Sequence, residues 1–173
     1  MHTNIFYIIL LIICTILSSG YYSSSVDYIQ SEKLEHIFKT KLPDNIVYTI
    51  VPRGLIISIN ENMIFNEFDI EPSKNSYGLL DTIADLLKII PNDVVIENHT
   101  DFSLSDEQIS NWELSNIRSS NLCNYFLKKN ISKERIFDIG FGDSMPFKKN
   151  VSPIDIKLDN RVDFVIINYE ATR

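Results

Sequence analysis

Val94-Val95-Ile96-Glu97-Asn98-His99-Thr100-Asp101, followed after a short polar loop by Asn111-Trp112-Glu113-Leu114-Ser115-Asn116-Ile117-Arg118, is a strand pattern that gives way to a helix pattern. The first run is β-branched and short, as a buried strand should be. At about 100° per residue the second, continued to Lys128, places Leu114, Leu122, Tyr125 and Phe126 on one face. Arg118 falls in the middle of that apolar face. A guanidinium there costs too much to bury alone, so it needs a carboxylate, backbone carbonyls or an anionic ligand. Asp101 is the nearest candidate in this stretch.

Working outward, Ile46 to Val51 and Leu55 to Ile59 flank Pro52-Arg53-Gly54 and read as a β-hairpin that begins the folded domain. Leu79, Leu80, Ile83, Leu86, Leu87 and Ile90 recur at helical spacing and stop at Pro91, with Ser73 or Ser76 as N-cap. Asn130 suits the left-handed position that ends the second helix, because its short polar side chain tolerates positive φ. Ile136 to Phe141 reads as a further strand, and Val162 to Ile167, alternating around Asp163, as the last. Strands alternating with helices predict an α/β sandwich, two main helices on one sheet.

At its N-terminus the chain is different. Ile5 to Leu17 carries no charge, and Ser18-Ser19-Gly20 supplies small residues. Residues 1–22 therefore read as a secretory signal or, with Tyr21 and Tyr22 at an interface, as an uncleaved membrane anchor. Residues 23–44 read as a linker, in which Ile29, Leu34, Ile37 and Phe38 could line a weak amphipathic helix, and 45–173 as the domain. With 45% hydrophobic and 23% charged residues in 173, one modest core is expected. The formal net charge of −7 opposes binding of nucleic acid, whose phosphates need a basic face. Lys128, Lys129, Lys133 and Arg135 read as a solvated helix end. Cys14 and Cys123 do not form the pattern of a disulfide framework.

The order of these segments resembles the OmpA-like peptidoglycan-binding domain. The resemblance runs from about Gly54 to Ile167. It is carried by Gly54-Leu55-Ile56-Ile57-Ser58-Ile59, Ile64-Phe65-Asn66, His99-Thr100-Asp101, Asn111 with Leu114-Ser115 and Arg118, Gly140-Phe141-Gly142-Asp143 with Pro146, and Asn160-Arg161-Val162-Asp163. The wording Asn111-Trp112-Glu113-Leu114-Ser115 is similar to the flagellar stator B (MotB-like) branch. Three positions depart from the family pattern: Asn98 stands where glycine is usual, Ser119 where alanine is usual, and Asn160 where the first of two arginines is usual.

The resemblance implies a β/α/β/α/β domain with two helices on a mixed sheet and non-catalytic binding of peptidoglycan, the domain lying in the periplasm. It implies a diaminopimelate-type zwitterion held by Asp101 and Arg118, with Thr100, Asn111 and Arg161 as further contacts. A carboxylate for the ammonium and a bidentate guanidinium for the carboxylate would each contribute about 1.5 to 3 kcal/mol. From residue chemistry alone the alternative for Asp101 and Arg118 is an internal ion pair, and for Asn111 it is helix capping. Replacing either charged residue by alanine is expected to abolish wall binding and leave the fold intact. His99 reads as a hydrogen-bonded structural residue and Trp112 as packing at the helix start. No cofactor, metal or catalytic role is expected. The partners implied are peptidoglycan, the membrane through an uncleaved N-terminal segment, and a second copy of the chain. The alternative function is a stator-type motor component, against which stands the absence of any acid in Ile5 to Ser19. A wall-cleaving enzyme pairing Asp101 with Glu97 or Asp106 is disfavoured, since nothing sets the carboxylate spacing that glycoside cleavage requires.

Overall fold

The computed structural model describes residues 29–67, 69–101, 109–147 and 159–168. The expected signal or anchor at 1–22 lies outside them, as does Asp106. Among the described residues no helix is long and apolar enough to cross a membrane.

The hairpin forms where the sequence placed it. Strands β1 (Val47–Val51) and β2 (Gly54–Asn60) pair antiparallel in the register Val47↔Ser58 to Val51↔Gly54. Gly54 has a φ of 145° and lies against the central strand, where a Cβ would stand 1.8 Å from the Ile166 carbonyl oxygen. Only glycine satisfies both demands.

Helix α2 (Tyr77–Ile89) ends before Pro91 as expected, and a 3-10 turn, Lys74–Ser76, leads into it. Its N-cap, Ser76, uses its hydroxyl to donate to the Ser73 carbonyl rather than to accept from the helix. Strand β3 (Val94–His99), helix α3 (Asn111–Lys128) and strand β4 (Ile136–Gly142) then form a parallel crossover unit. Asn130 ends α3 with a φ of 67°, as its side chain predicted. Strand β5 (Arg161–Ile167) comes last in sequence yet sits in the middle of the sheet, whose order is β1-β2-β5-β3-β4. It runs antiparallel to both neighbours while β3 and β4 are parallel, so the sheet is mixed. All seven β5 residues are buried.

Period-2 alternation decides which strand residues meet the helices. Leu55, Ile57 and Ile59 of β2, Val162, Phe164 and Ile166 of β5, and Val94 and Ile96 of β3 share one core with Leu80, Ile83 and Leu87 of α2 and Leu122 and Phe126 of α3. Phe126 meets Phe164 edge-on at 5.5 Å between centroids, an arrangement favoured by the ring quadrupoles.

A third helix joins this layer. Residues 29–39, here α1, are helical, and Leu34 and Phe38 belong to the core together with Leu42. Ser31, one turn earlier, donates from its buried hydroxyl to Asn168 Oδ1 at 2.9 Å. From residue 29 the stretch read as a linker holds the amphipathic helix that its apolar residues suggested, docked as a third helix beside the two main ones. Of the four apolar residues on this segment, Leu34 and Phe38 are buried and Ile37 partly so, while Ile29 stays 49% exposed. The stripe is only two side chains wide, but a fully buried Leu or Phe contributes about 1.5 to 3 kcal/mol, enough to hold a short helix.

Candidate functional site

The parallel strands β3 and β4 both end at one edge of the sheet, where α3 begins and β5 starts. Thr100 and Asp101 leave β3 there, just beyond a register irregularity between Asn98 and His99. The Thr100 amide donates to the Gly142 carbonyl at 3.1 Å, and the Gly142 amide donates to Ser115 Oγ of α3 at 2.9 Å. The strand end and the first turns of α3 are therefore one hydrogen-bonded unit.

Asp101 is exposed, and its carboxylate has no hydrogen bond or ion pair among the described residues. Its backbone is held firmly. The Asp101 amide donates to Asn160 Oδ1 at 2.5 Å, and Asn160 Nδ2 donates back to the Asp101 carbonyl at 3.4 Å. Asn160, which departs from the family's arginine, thus serves as a two-point backbone clamp on the residue of interest.

Arg118 is fully buried, and its partner is not Asp101 but Glu61. Nη1 lies 2.9 Å from Glu61 Oε1, Nε donates to the Asp69 carbonyl at 2.8 Å, and Nη2 donates to the carbonyls of Asn66 and Glu67 at 3.2 and 2.9 Å. The guanidinium also stacks 4.9 Å from the Phe65 ring centroid. The internal Asp101–Arg118 ion pair, the alternative to a ligand clamp, does not form, because the segment after β2 folds over Arg118 and supplies both the carboxylate and the carbonyls that its burial demanded. Glu61 is 1% exposed. Burial pushes its carboxyl above the usual range, against the pull of Arg118, Thr100 and Asn98.

Thr100 is also fully buried, and its hydroxyl lies 2.7 Å from Glu61 Oε1 and 2.7 Å from Asn98 Oδ1. One hydroxyl hydrogen serves one acceptor at a time, and the carboxylate is the stronger. Thr100 and Arg118 consequently share a single carboxylate oxygen. Sequence reasoning missed Glu61 because several acids stand just beyond strand ends (Glu61, Asp101, Asp143), and no spacing rule marks the one that folds inward.

Asn111 is the half-buried first residue of α3, and capping falls to its neighbour. Ser110 Oγ accepts from the Glu113 amide at 3.2 Å while Glu113 Oε2 accepts from the Ser110 amide at 2.9 Å, a reciprocal capping box. These bonds from Ser110 hold the Glu113 carboxyl below its ordinary range. Trp112 does not pack as expected but stands 55% exposed beside this turn.

Arg161 is 7% exposed and internally bonded: Nε donates to Asp163 Oδ2 at 2.9 Å, both terminal nitrogens reach the Met145 carbonyl, and the Phe147 ring lies 5.2 Å away. Around it runs a buried polar row. Glu97 and Asp163 are register partners on β3 and β5, and Ser58 of β2 pairs with Asp163. His99 stacks on Phe141 with its Nε2 3.4 Å from Asp163 Oδ2. Ligand-type atoms of Glu97, His99 and Asp163 lie within 4.8 Å of one another. Both carboxylates are nonetheless matched already, Glu97 by a two-point bond from Arg53 at 2.8 and 3.0 Å and Asp163 by Arg161. A dication there would sit between two guanidiniums, so the chemistry of the set is that of an ion-pair network.

Burial raises the Asp163 carboxyl, but the bond from His99, the Arg161 charge and the Ser58 hydroxyl outweigh it and hold the group below its ordinary 3.8. A depressed carboxylate contributes stability that is present above the unfolded value and is lost as pH falls through the folded one. The urea midpoint of wild type should therefore exceed that of Asp163→Asn by a constant margin from neutral pH to about pH 4, the margin narrowing below it. A margin that widens with acid would contradict this assignment.

Comparison with known proteins places this architecture. The protein named "Uncharacterized protein YtxE" of Bacillus subtilis is 36% identical over 123 residues, covering 69% of this chain and 51% of that protein. Motility protein B of the same organism is 27% identical over 144 residues, covering 81% and 52%. The chain spans about half the length of the curated relatives it matches. A crystal structure of a putative MotB-like protein from Desulfovibrio vulgaris superposes with a TM-score of 0.73 at 21% identity, covering 87% of this chain and 96% of that one, and shares the fold. The family model described as the OmpA family matches residues 64–158, which take in α2, β3, α3 and β4 and, of the site, Thr100, Asp101, Asn111 and Arg118, and on that match over more than half of its length the chain belongs to the OmpA family.

Proposed function

We propose that this protein is a non-catalytic envelope module that binds the peptide stem of peptidoglycan and so attaches an envelope or membrane component to the wall. The observation that carries this reading is Asp101: an exposed carboxylate without a partner among the described residues, on a backbone clamped by Asn160, at the end of the sheet where α3 starts. Such a group suits the ammonium of a diaminopimelate-type zwitterion.

The five residues singled out from the sequence divide by burial. Asp101 and Asn111 stand outermost and make direct contact. Thr100, Arg118 and Arg161 are buried and bonded within the protein, so they support the frame. Arg118 meets a ligand carboxylate only by exchanging one of its loop carbonyls for it.

The test is retention of the full chain on purified peptidoglycan. Asp101→Ala should lower affinity about ten- to hundredfold, the equivalent of one charge-assisted contact. As a surface change it should leave unfolding within about 0.5 kcal/mol of wild type. Retention equal to wild type would remove Asp101 from the site. A second reading, a stator-type motor component, draws support from the likeness to Motility protein B. Co-purification with a multi-span membrane partner would favour it over a simple tether.

A further inference from the structure

Two residues set the position of Asp101: Thr100, which precedes it, and Asn160, which clamps its backbone. Both depend on Glu61. The Glu61 amide donates to the Asn160 carbonyl at 3.0 Å, and its Oε1 accepts from the Thr100 hydroxyl at 2.7 Å. The same oxygen meets Arg118 at 2.9 Å, and the Glu61 carbonyl accepts from the amides of Ile64 and Phe65, each at 2.9 Å. One buried residue after β2 thus joins the end of β3, the start of β5, the interior of α3 and the segment that covers Arg118.

We infer that Glu61 is a positioning residue of the wall-binding site, orienting Asp101 through Thr100 and Asn160 without touching the ligand itself. This inference rests on the wall-binding reading for its functional consequence, but its structural content stands apart from it. A carboxylate is needed because two donors, one of them a cation, converge on one oxygen; a neutral amide offers an acceptor but leaves the guanidinium charge unmatched. The ammonium-binding carboxylate of Asp101 can then be presented at a fixed place, since a site left loose by even an ångström loses most of its affinity.

The experiment uses the full chain as wild type, Glu61→Gln and Thr100→Val, with two measurements: amide hydrogen exchange by NMR, and retention on purified peptidoglycan. In both variants exchange at the amides of Thr100 and Asp101 should rise about tenfold or more while Val94 to Ile96 of β3 keep wild-type rates. Retention should fall about fivefold or more in parallel. Thr100→Val leaves the Glu61–Arg118 charges matched, so it carries the test where Glu61→Gln does not fold. Faster exchange spread evenly over β3 and α2 would mean that Glu61 serves stability alone and would overturn the inference. So would unchanged retention of both variants beside a wild type that binds. A wild type that fails to bind peptidoglycan would refute the wall-binding reading, and the exchange rates would still decide whether Glu61 positions Asp101.

Discussion

Arg118→Ala should destabilise the domain by about 3 to 5 kcal/mol, the usual result of removing one member of a buried ion pair. Sequence reasoning expected this variant to keep its fold and lose only its ligand. The structure reverses that expectation, because Arg118 is 0% and Glu61 1% exposed. Truncation leaves the Glu61 charge without its cation and takes the guanidinium donor from the carbonyls of Glu67 and Asp69, while Asn66 keeps only the bond from the Asp69 amide. A cavity the size of the missing side chain adds to the cost. Against a total stability of about 5 to 15 kcal/mol, such a loss puts the variant near unfolding at ambient temperature. Lysine does not restore the arrangement, since one ammonium cannot reproduce a fork that serves a carboxylate and three carbonyls.

The Glu61 carboxyl offers a partial escape. Already raised by burial, it can take up a proton once Arg118 is gone, so the deficit should be largest at neutral pH and shrink toward acid. Urea unfolding at pH 7 and pH 5 measures both the deficit and its direction. A loss below about 1 kcal/mol at pH 7 would show that water replaces the guanidinium and that Arg118 is not the keystone of the covering segment.

The second large effect lies on the other side of α3. Gly140→Ala would place a Cβ 2.3 Å from the Asn116 amide nitrogen and 2.6 Å from both the carbonyl carbon and the Oγ of Ser115. Real Cβ atoms do not approach backbone so closely, and no rotamer relieves a clash with a helix backbone. Helix α3 must therefore retreat from β4. Overpacking of this kind costs about 1 to 3 kcal/mol, and the upper end applies where the obstacle is main chain. In a chain of this size each kcal/mol lowers Tm by about 2 to 4 °C. The retreat also stretches the bonds from Gly140 N to Asn116 Oδ1 at 3.2 Å and from Gly142 N to Ser115 Oγ at 2.9 Å. Those bonds tie the start of α3 to the Asp101 corner, so peptidoglycan retention should fall more than thermal stability alone accounts for. Loss of stability with full retention among the folded molecules would separate the helix position from the site.

Much of the framework was legible in the order of residues. The hairpin at Pro52-Arg53, the stop of α2 before Pro91, the left-handed Asn130 and the burial of Arg118 all followed from local chemistry: fixed φ at proline, tolerance of positive φ, and side-chain period. Helix α1 was legible only as a weak amphipathic stretch within a linker, because two buried residues, Leu34 and Phe38, make a stripe too thin to stand out beside charged neighbours. Its stability comes from docking, since so short a helix is marginal alone.

The candidate site divides in the same way. That Arg118 needed a counter-charge, and that Asp101 stands just past the third strand, were determined by the sequence itself, through the cost of burying a lone guanidinium and the β-branched run that starts at Val94. Which acid answers Arg118 was decided only by the tertiary structure. Glu61 and Asp101 are alike in charge and both follow apolar strands; β2 turns its acid beneath the covering segment, whereas β3 ends at the sheet's edge and leaves its acid in water. Electrostatic partners are chosen by the folding of distant segments into a common low-dielectric space, and that proximity is not a property of any stretch of chain read alone.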